Sequence, residues 1–335
     1  MPLLKSIEQW GRRRVAATMA MNTPEGDRSV PQRPSRILVI RTDNRLGNLV
    51  LMEPLLRSIK IRNPQAELDI LASDVFSELL ESQGYSVIYA DKKGQIRNPA
   101  KFWSLIQKLR SRSYDVAIDA AHPHSFSLSG AVSTVLSGAD CRISTDAGDS
   151  NRWYTHTVAE SPMDWHESHA LHSLGSVWKD WPEWSPPELH AHNTLKRNAA
   201  GLHVGASGNK GYPIEHLEKL VDRICRSVIL EIYWGSGDER KTAEYLGSRF
   251  PVAVMPELSI TGLIRKIAGL KLFITPDNGP MHIASALSVP VIALFRIDNM
   301  DRFAPLSEGS EALYAEEGPD PSSVAAAVLE ALGCY

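Results

Sequence analysis

The sequence has little cysteine, almost no excess charge and no long apolar run. Its three cysteines, Cys141, Cys225 and Cys334, lie far apart without a CxxC pair, which argues against a disulfide framework or a zinc site and fits a reducing cytoplasm. A formal net charge of −3 provides no basic field for nucleic acid as the main partner. No segment approaches the roughly 20 apolar residues of a membrane-spanning helix. These absences predict a cytoplasmic protein without a nucleic-acid partner.

The N-terminal segment, residues 1–35, has a pattern of its own. Its apolar residues fall near one face of a predicted helix and are followed by three arginines at residues 12–14; the apolar residues are Leu3, Leu4, Ile7 and Trp10. A basic amphipathic helix of this kind can lie on an anionic membrane surface, which would make the protein peripheral to the inner membrane. The alternative is a helix that packs on its own domain. Interspersed charges exclude a signal peptide.

After residue 35, short apolar runs alternate with helical patterns. Arg36–Arg41 has the composition of a buried strand, and the pattern predicts a helix from Gly47 to about Arg62. Such alternation is typical of βαβ units that build a parallel sheet. The alternation stops between residues 144 and 195, where five of the eight tryptophans and a proline-rich stretch lie. That region predicts a long loop, one helix near residues 166–179 and an interdomain linker.

A length of 335 residues favours two domains. We therefore predict an α/β protein with two doubly wound domains, over residues 36–185 and 186–335. The last helical pattern, residues 321–332, belongs to the second domain and is a candidate to cross back to the first. Ligands of such sheets bind outside the carboxyl ends of the strands.

One strand of the second domain ends in Asp277, Asn278 and Gly279, and a helix with His282 in its first turn follows. The free N–H groups at a helix N-terminus suit a phosphate, and a glycine lets a ligand approach the backbone closely. His282 adds a hydrogen-bond donor for the same anion. In the alternative interpretation Asp277 caps the helix and His282 packs in the core.

Two further glycine-bearing loops follow strands of this domain. The first contains Gly205, Ala206, Ser207 and Lys210, residue types that suit a pyrophosphate, although it lacks the Walker A ending. Its alternative is an ordinary loop with a solvated lysine. The second ends in Glu239, whose carboxylate either binds ribose hydroxyls or starts a helix. Because all three loops follow strands, they converge on one edge of the sheet.

The first domain has a counterpart between Arg41 and Pro54, where a strand runs through a glycine-containing turn into a helix. Asp43 is a candidate general base, and Arg41 or Arg45 is a candidate anion contact. A helix-capping role for Asp43 is the alternative. Asn48 lies in the first turn of the predicted helix.

At these motifs the chain resembles glycosyltransferase family 9, the ADP-heptose:lipopolysaccharide heptosyltransferases. The resemblance is carried by Ile37–Asp43 with Leu46 and Gly47, and by the two glycine-bearing loops that contain Lys210 and Glu239. Above all, it is carried by Asp277–Ala286. It implies a GT-B fold, in which two Rossmann-like domains face a cleft. It also implies a metal-independent, inverting transferase without a cofactor, which moves heptose or a related sugar from ADP-heptose or another NDP-sugar to the lipopolysaccharide inner core.

The resemblance also implies roles for individual residues. Donor-binding residues would be Gly205, Ala206, Ser207, Lys210, Glu239, Asp277, Asn278, Gly279 and His282. In this scheme Lys210 and its loop hold the diphosphate, and Glu239 lies near the ribose. The acceptor would bind the first domain, with Arg41 and Arg45 on the acceptor side.

One departure from the family pattern affects catalysis. The family usually has an aspartate base after the turn glycine, and this chain has Asn48 there. An amide cannot accept a proton at neutral pH. Either Asp43 takes over, or the enzyme works by positioning and leaving-group stabilisation, or transferase activity is lost. A second departure places Arg296-Ile297-Asp298 where the family has a glycine-containing turn.

Two alternative functions stay open. One, for which Asn48 is the reason, is a catalytically weakened protein that still binds a nucleotide-sugar. The other is a sugar epimerase on the same fold, which would need acid/base pairs from both domains. The tryptophan-rich segment would either touch the acceptor or fill an interdomain core. Metal ligation is indicated only by the spacing of four histidines, His156, His166, His169 and His172, and we do not predict it.

Overall fold

The computed structural model describes residues 29–90 and 98–334. The predicted amphipathic helix lies outside the described residues and stays a prediction. The chain divides into two compact units. The first contains the described residues up to Asn44 together with Pro54–Met163 and His169–Trp184, and the second contains Arg45–Glu53, Asp164–Ser168 and the chain from Ser185 onward.

A six-stranded parallel sheet forms the first unit, in the order β3-β2-β1-β4-β5-β6. Its strands are β1 (Arg36–Arg41), β2 (Glu67–Ala72), β3 (Ser86–Tyr89), β4 (Val116–Asp119), β5 (Cys141–Thr145) and β6 (His156–Val158). The helices before residue 185 are α1 (Leu46–Leu51), α2 (Glu53–Arg62), α3 (Ser77–Ser82), α4 (Pro99–Ser111), α5 (Leu128–Ser137) and α6 (Glu167–His172). Of these, α1 belongs to the second unit. The register places Ile37 of β1 beside Leu68 of β2 and Val116 of β4. β1 is central and almost fully buried, as its apolar run predicts.

A second six-stranded parallel sheet, in the order β12-β11-β10-β7-β8-β9, forms the second unit. Its strands are β7 (Ala200–His203), β8 (Leu230–Tyr233), β9 (Ala253–Val254), β10 (Leu272–Pro276), β11 (Val291–Phe295) and β12 (Glu311–Tyr314). Its helices are α7 (Ile214–Ile224), α8 (Gly237–Arg249), α9 (Ile260–Ala268), α10 (Gly279–Ala286), α11 (Met300–Phe303) and α12 (Pro321–Leu332). The predicted pair of parallel, doubly wound α/β units is confirmed.

The single helix predicted from Gly47 to about Arg62 is two helices in the structure, α1 and α2, separated at Met52. Pro54 has no N–H for the carbonyl four residues earlier, so a continuous helix would lose a hydrogen bond there. The break also divides the two units, because Arg45–Glu53 belongs to the second unit whereas most of α2 belongs to the first.

The region predicted as a long loop contains more structure than expected. The short strand β6 extends the first sheet, and the helix expected over residues 166–179 ends at His172 and continues as a 3₁₀ helix, Ser173–Val177. Trp153 and Trp178 are buried in the first unit, and the Trp178 indole donates to the Pro31 carbonyl at 2.8 Å. These two tryptophans therefore fill the core of their own unit.

The last helix, α12, packs in the core of the second unit beside α7. Val324, Ala325 and Val328 join a cluster with Leu217 and Leu220. Asp320 caps the helix by accepting two backbone N–H groups. The sequence left open whether this helix crosses back to the first domain. In the structure its apolar residues pack within the second unit. No helix among the described residues is long and apolar enough to traverse a bilayer.

Candidate functional site

The loop after β10 is organised by a helix cap. Asn278 is the N-cap of α10, and its Oδ1 accepts the Met281 N–H at 3.0 Å. The alternative in which Asp277 caps this helix is therefore wrong. Asp277 is instead paired with Lys210, with 2.5 Å between Oδ2 and Nζ.

This ion pair joins two of the predicted loops. Lys210 ends a 3₁₀ turn, Gly208–Lys210, in the loop that leaves β7, and Gly208 has a φ of 67°, a left-handed conformation that favours glycine. The Lys210 side chain is 29% exposed, against 7% for Asp277. Lys210 is therefore not the solvated lysine of the alternative interpretation, because a nearly buried carboxylate fixes its position.

A second link between the same loops runs through Asn278. Its amide Nδ2 donates to the Gly205 carbonyl at 2.7 Å and lies 3.1 Å from Nδ1 of His203. The Gly205 N–H also points at that Nδ1, at 3.2 Å. Nδ1 also lies 3.0 Å from the Gly205 carbonyl, so either tautomer of the ring finds a partner in this loop. Burial lowers the pKa of His203, so the ring is neutral near pH 7.

His203 was not among the residues singled out from the sequence, where it counted only as part of β7. Its signal was its position, two residues before Gly205 at the carboxyl end of a central strand. Parallel α/β sheets place their ligand loops at that end.

The loop that ends in Glu239 meets the loop that contains Lys210 at Gly205. Ser236 and Glu239 form a capping box at the start of α8, in which Glu239 Oε2 accepts the Ser236 N–H at 3.1 Å. The same oxygen also accepts the Gly235 N–H at 2.6 Å. The structure thus bears out the helix-starting alternative for Glu239, and its ribose contact stays a prediction. A Cβ on Gly205 would overlap the Glu239 carboxyl group. All three loops are therefore brought together.

His282 is buried in the first turn of α10, and burial lowers its pKa to about 4. Asp277 acts in the opposite direction, and Lys210 lowers the pKa further. His282 is therefore neutral near pH 7 and offers a single ring N–H donor. Its ring lies against α1, because a Cβ on Gly47 would be 2.7 Å from His282 Cδ2.

Gly279 is packed in the same way, since its Cβ would be 2.8 Å from Leu46 Cβ. Two glycines thus allow α1 to approach α10 within the second unit. Asn48, in the first turn of α1, is half-buried, and its N–H donates to the Arg45 carbonyl at 3.1 Å.

The residues predicted on the acceptor side behave differently. Arg41 is fully buried; its Nε donates to Asp43 Oδ2 at 3.0 Å and its Nη1 to the Ala120 carbonyl at 2.6 Å. The N-cap of α1 is Arg45, whose side chain makes no capping hydrogen bond, so Asp43 is not the N-cap residue of that helix. Asp43 and Asn48 belong to different units.

Asp119, at the end of β4, is held inside the first unit. The Tyr154 hydroxyl donates to its Oδ2 at 2.5 Å, and a Cβ on Gly130 would overlap its carboxyl group. Burial, and secondarily Asp119, raises the pKa of Tyr154. This tyrosine therefore acts as a hydrogen-bond donor that orients Asp119.

No three His, Cys, Asp or Glu residues in residues 29–90 and 98–334 lie together so as to hold a metal ion. All four spaced histidines have other contacts, and His156 Nδ1 lies 2.9 Å from the Thr155 hydroxyl. His166 bonds the Ser168 hydroxyl at 2.8 Å, His169 stacks on Trp184, and His172 bonds the Ser58 hydroxyl at 3.0 Å.

Comparison with known proteins extends this description. The family model described as glycosyltransferase family 9 (heptosyltransferase) matches residues 102–332. Lipopolysaccharide heptosyltransferase 1 of Pseudomonas aeruginosa is 34% identical over 96 residues, which is 28% of this chain and 27% of that protein. The match thus spans about a quarter of the length of this curated relative.

Two solved structures are similar over most of their length. The E. coli heptosyltransferase WaaC with ADP has a TM-score of 0.77 at 17% identity, covering 88% of this chain and 99% of its own. E. coli ADP-heptose lps heptosyltransferase II has a TM-score of 0.73 at 20% identity, covering 89% and 98%. At these identities the likeness concerns the fold, and it confirms the predicted GT-B class with two Rossmann-like domains.

Proposed function

Because the chain belongs to glycosyltransferase family 9, we propose that it is an inverting, metal-independent glycosyltransferase. The donor is ADP-heptose or a related NDP-sugar, and the acceptor is a glycan hydroxyl of the lipopolysaccharide inner core. The proposed location is the cytoplasm, with peripheral contact to the inner membrane through residues 1–35. The observation that carries the proposal is the junction of three loops at the carboxyl edge of the second sheet, centred on the ion pair of Lys210 and Asp277.

The junction has the chemistry of a diphosphate site. α10 begins beside this ion pair, and a helix N-terminus carries partial positive charge and backbone donors. Lys210 adds a point charge whose position Asp277 fixes. When a diphosphate binds, Lys210 would turn toward the anion, and Asp277 would accept hydrogen bonds from the sugar hydroxyls. Gly205, Ala206 and Ser207 contribute backbone, while Glu239 and Gly279 complete the contacts to ribose and phosphate.

The acceptor chemistry requires a different base from that of the family. Asn48 cannot take a proton, so we propose Asp43 for this role. Its carboxylate is partly exposed, at 26%, and is oriented by the buried Arg41. A carboxylate that is oriented by one neighbour and partly exposed is consistent with general-base catalysis.

A second candidate function is supported by Asn48 alone: a nucleotide-sugar-binding protein with little transferase activity. It predicts normal donor affinity and a low turnover that Asn48→Asp would raise. The epimerase alternative gains no supporting observation from the described residues.

Donor binding is tested by the shift of the melting temperature with ADP, UDP and GDP. A ligand at 100 times its Kd stabilises a protein by about 2.7 kcal/mol. We expect a shift with ADP that exceeds those with UDP and GDP, and its loss in Lys210→Ala. Transfer from ADP-heptose to a heptose-deficient lipopolysaccharide core, followed by mass spectrometry, tests the reaction itself. A wild-type protein that responds to no nucleotide contradicts the proposed function.

A further inference from the structure

Three consecutive residues, Lys210 to Tyr212, hold the loop between β7 and α7, and each of them bonds to a different segment of the chain. Lys210 pairs with Asp277, which follows β10. The Gly211 carbonyl accepts from Arg296 Nη1 at 3.0 Å, and Arg296 directly follows β11. The Tyr212 hydroxyl donates to the Pro319 carbonyl at 2.7 Å. The loop therefore crosses the ends of β10 and β11, and Arg296 is its anchor at β11.

Arg296 also differs from the neighbouring cations in its partners. Its second hydrogen bond, from Nε, goes to the Glu316 carbonyl at 3.0 Å, so both partners are neutral. Lys210 is paired with Asp277 at 2.5 Å and Arg302 with Glu167 at 2.6 Å. Within the described residues no carboxylate forms an ion pair with Arg296. Among the described residues Arg296 thus has no ion-pair partner, whereas Lys210 and Arg302 each have one.

We propose that Arg296 is a donor-positioning residue that selects a diphosphate over a nucleoside or a nucleoside monophosphate. It fixes the Lys210 loop through Gly211 and supplies the net positive charge that the balanced Lys210 pair lacks. The inference rests on the proposed function, because it assumes that a nucleoside diphosphate binds at this edge. It concerns a residue outside the family motif, in the segment Arg296-Ile297-Asp298 that departs from the family pattern.

The geometry of arginine explains why this residue type suits the position. A planar guanidinium holds two carbonyls at fixed angles and keeps further N–H groups for an anion. A lysine retains the charge but cannot reproduce the fork. A glutamine retains hydrogen-bond donors but no charge. The two substitutions therefore separate loop anchoring from charge.

The test is calorimetric titration of the full chain with ADP, AMP and adenosine, for the wild type, Arg296→Gln and Arg296→Lys. Losing a charged hydrogen-bond donor corresponds to about 10- to 100-fold in affinity. We expect Arg296→Gln to weaken ADP binding by that factor, to weaken AMP binding less and to leave adenosine unchanged. Arg296→Lys should fall between the wild type and Arg296→Gln. The matched control is Arg240→Ala, which removes an exposed arginine paired with Glu244 on α8.

The outcomes separate the two proposals. If the wild type binds ADP and Arg296→Gln binds it equally well, the role of Arg296 is overturned while the proposed function stands. A similar loss of affinity for ADP and adenosine would show loop disruption without phosphate selection, and it also overturns the inference. If the wild type binds none of the three ligands, the proposed function falls and the inference falls with it.

Discussion

The carboxyl edges of the two sheets use polar residues in different ways. In the second unit, side chains of one loop bond to the next loop, as Lys210 does to Asp277 and Asn278 to Gly205. In the first unit, the polar residues at the strand ends are bound mainly within their own segment or to the body of the unit. Arg41 holds Asp43 two residues away, and Asp119 is held by Tyr154.

This difference separates a site that is already assembled from one that is not. A set of hydrogen-bond donors that is already ordered binds an anion without a further loss of conformational entropy. For this reason we propose the nucleotide-sugar site in the second unit. In the first unit the Asp43 carboxylate is partly exposed and oriented by Arg41, whereas Asp119 is buried and accepts a hydrogen bond from Tyr154. The predictions below test this contrast, beginning with the largest expected effect.

The largest effect is expected at Asp43, in the first unit. If Asp43 is the base, Asp43→Asn should lower kcat by about 10²- to 10⁴-fold and leave KM for the donor almost unchanged. The measurement is steady-state transfer from ADP-heptose. Asp149→Asn, at an aspartate that is 69% exposed, is the matched control.

An Asp43→Asn variant with full activity would remove Asp43 from catalysis. Asn48→Asp then becomes the informative variant. A rise in its turnover would indicate that position 48 still faces the acceptor hydroxyl. No rise would favour a protein that binds the donor without transferring the sugar.

The next effect concerns the ion pair of the second unit. Lys210→Ala should lower kcat/KM by about 10²- to 10³-fold, because the N-terminus of α10 then faces the diphosphate without the lysine charge. In contrast to Asp43→Asn, the loss should include donor affinity, measured as the Kd for ADP. Lys241→Ala, at a lysine 79% exposed and paired with Asp238, controls for the loss of a lysine. Equal ADP affinity in wild type and Lys210→Ala would contradict the assembled donor site.

The loops of the second unit were predictable because each combines a strand end, a glycine and a helix start within a few residues. Asp277, Lys210 and Gly205 carry that signal locally. The sequence does not show which residues bond across loops. Asn278 and His203 are 75 residues apart, and only the strand order of the sheet brings them together.

The first unit was less predictable for the same reason. Tyr154 reaches Asp119 over 35 residues, and β6, with three residues, is too short for a periodic pattern. The burial of Arg41 is also an effect of tertiary structure. Its position at the end of a buried strand suggested a ligand contact, whereas in the structure Arg41 is buried and donates to the Ala120 carbonyl.

A smaller effect tests the close approach of α1 and α10. Gly47→Ala places a Cβ 2.7 Å from the His282 ring, and such overpacking costs about 1–3 kcal/mol. We expect a lower denaturation midpoint and weaker ADP binding, because the ring must shift. Gly237→Ala is the control, since nothing lies within 4 Å of the added Cβ. Equal midpoints for the two variants would contradict the packing of His282 on α1.

The smallest effect is the pH dependence that buried His282 contributes. Its pKa is lowered from 6.5 to about 4, so between these values the unfolded chain binds the proton more strongly than the folded protein. Stability from this group is complete above pH 6.5 and is lost as the pH falls toward 4. Between pH 7 and pH 5.5 the loss is about 1 kcal/mol. His172, whose pKa burial also lowers to about 4, adds a similar loss in the first unit.

The two histidines therefore allow the two units to be titrated separately. His282→Gln and His172→Gln should each flatten the dependence of the unfolding free energy on pH by about 1 kcal/mol over that interval. ADP should alter only the part that belongs to His282, because Lys210 and Asp277 adjoin that ring electrostatically. Urea unfolding at pH 7.0 and 5.5, with and without ADP, measures both contributions. An ADP effect that persists unchanged in His282→Gln would mean that the ligand does not act through this histidine, and the donor site would then have to be sought away from the N-terminus of α10.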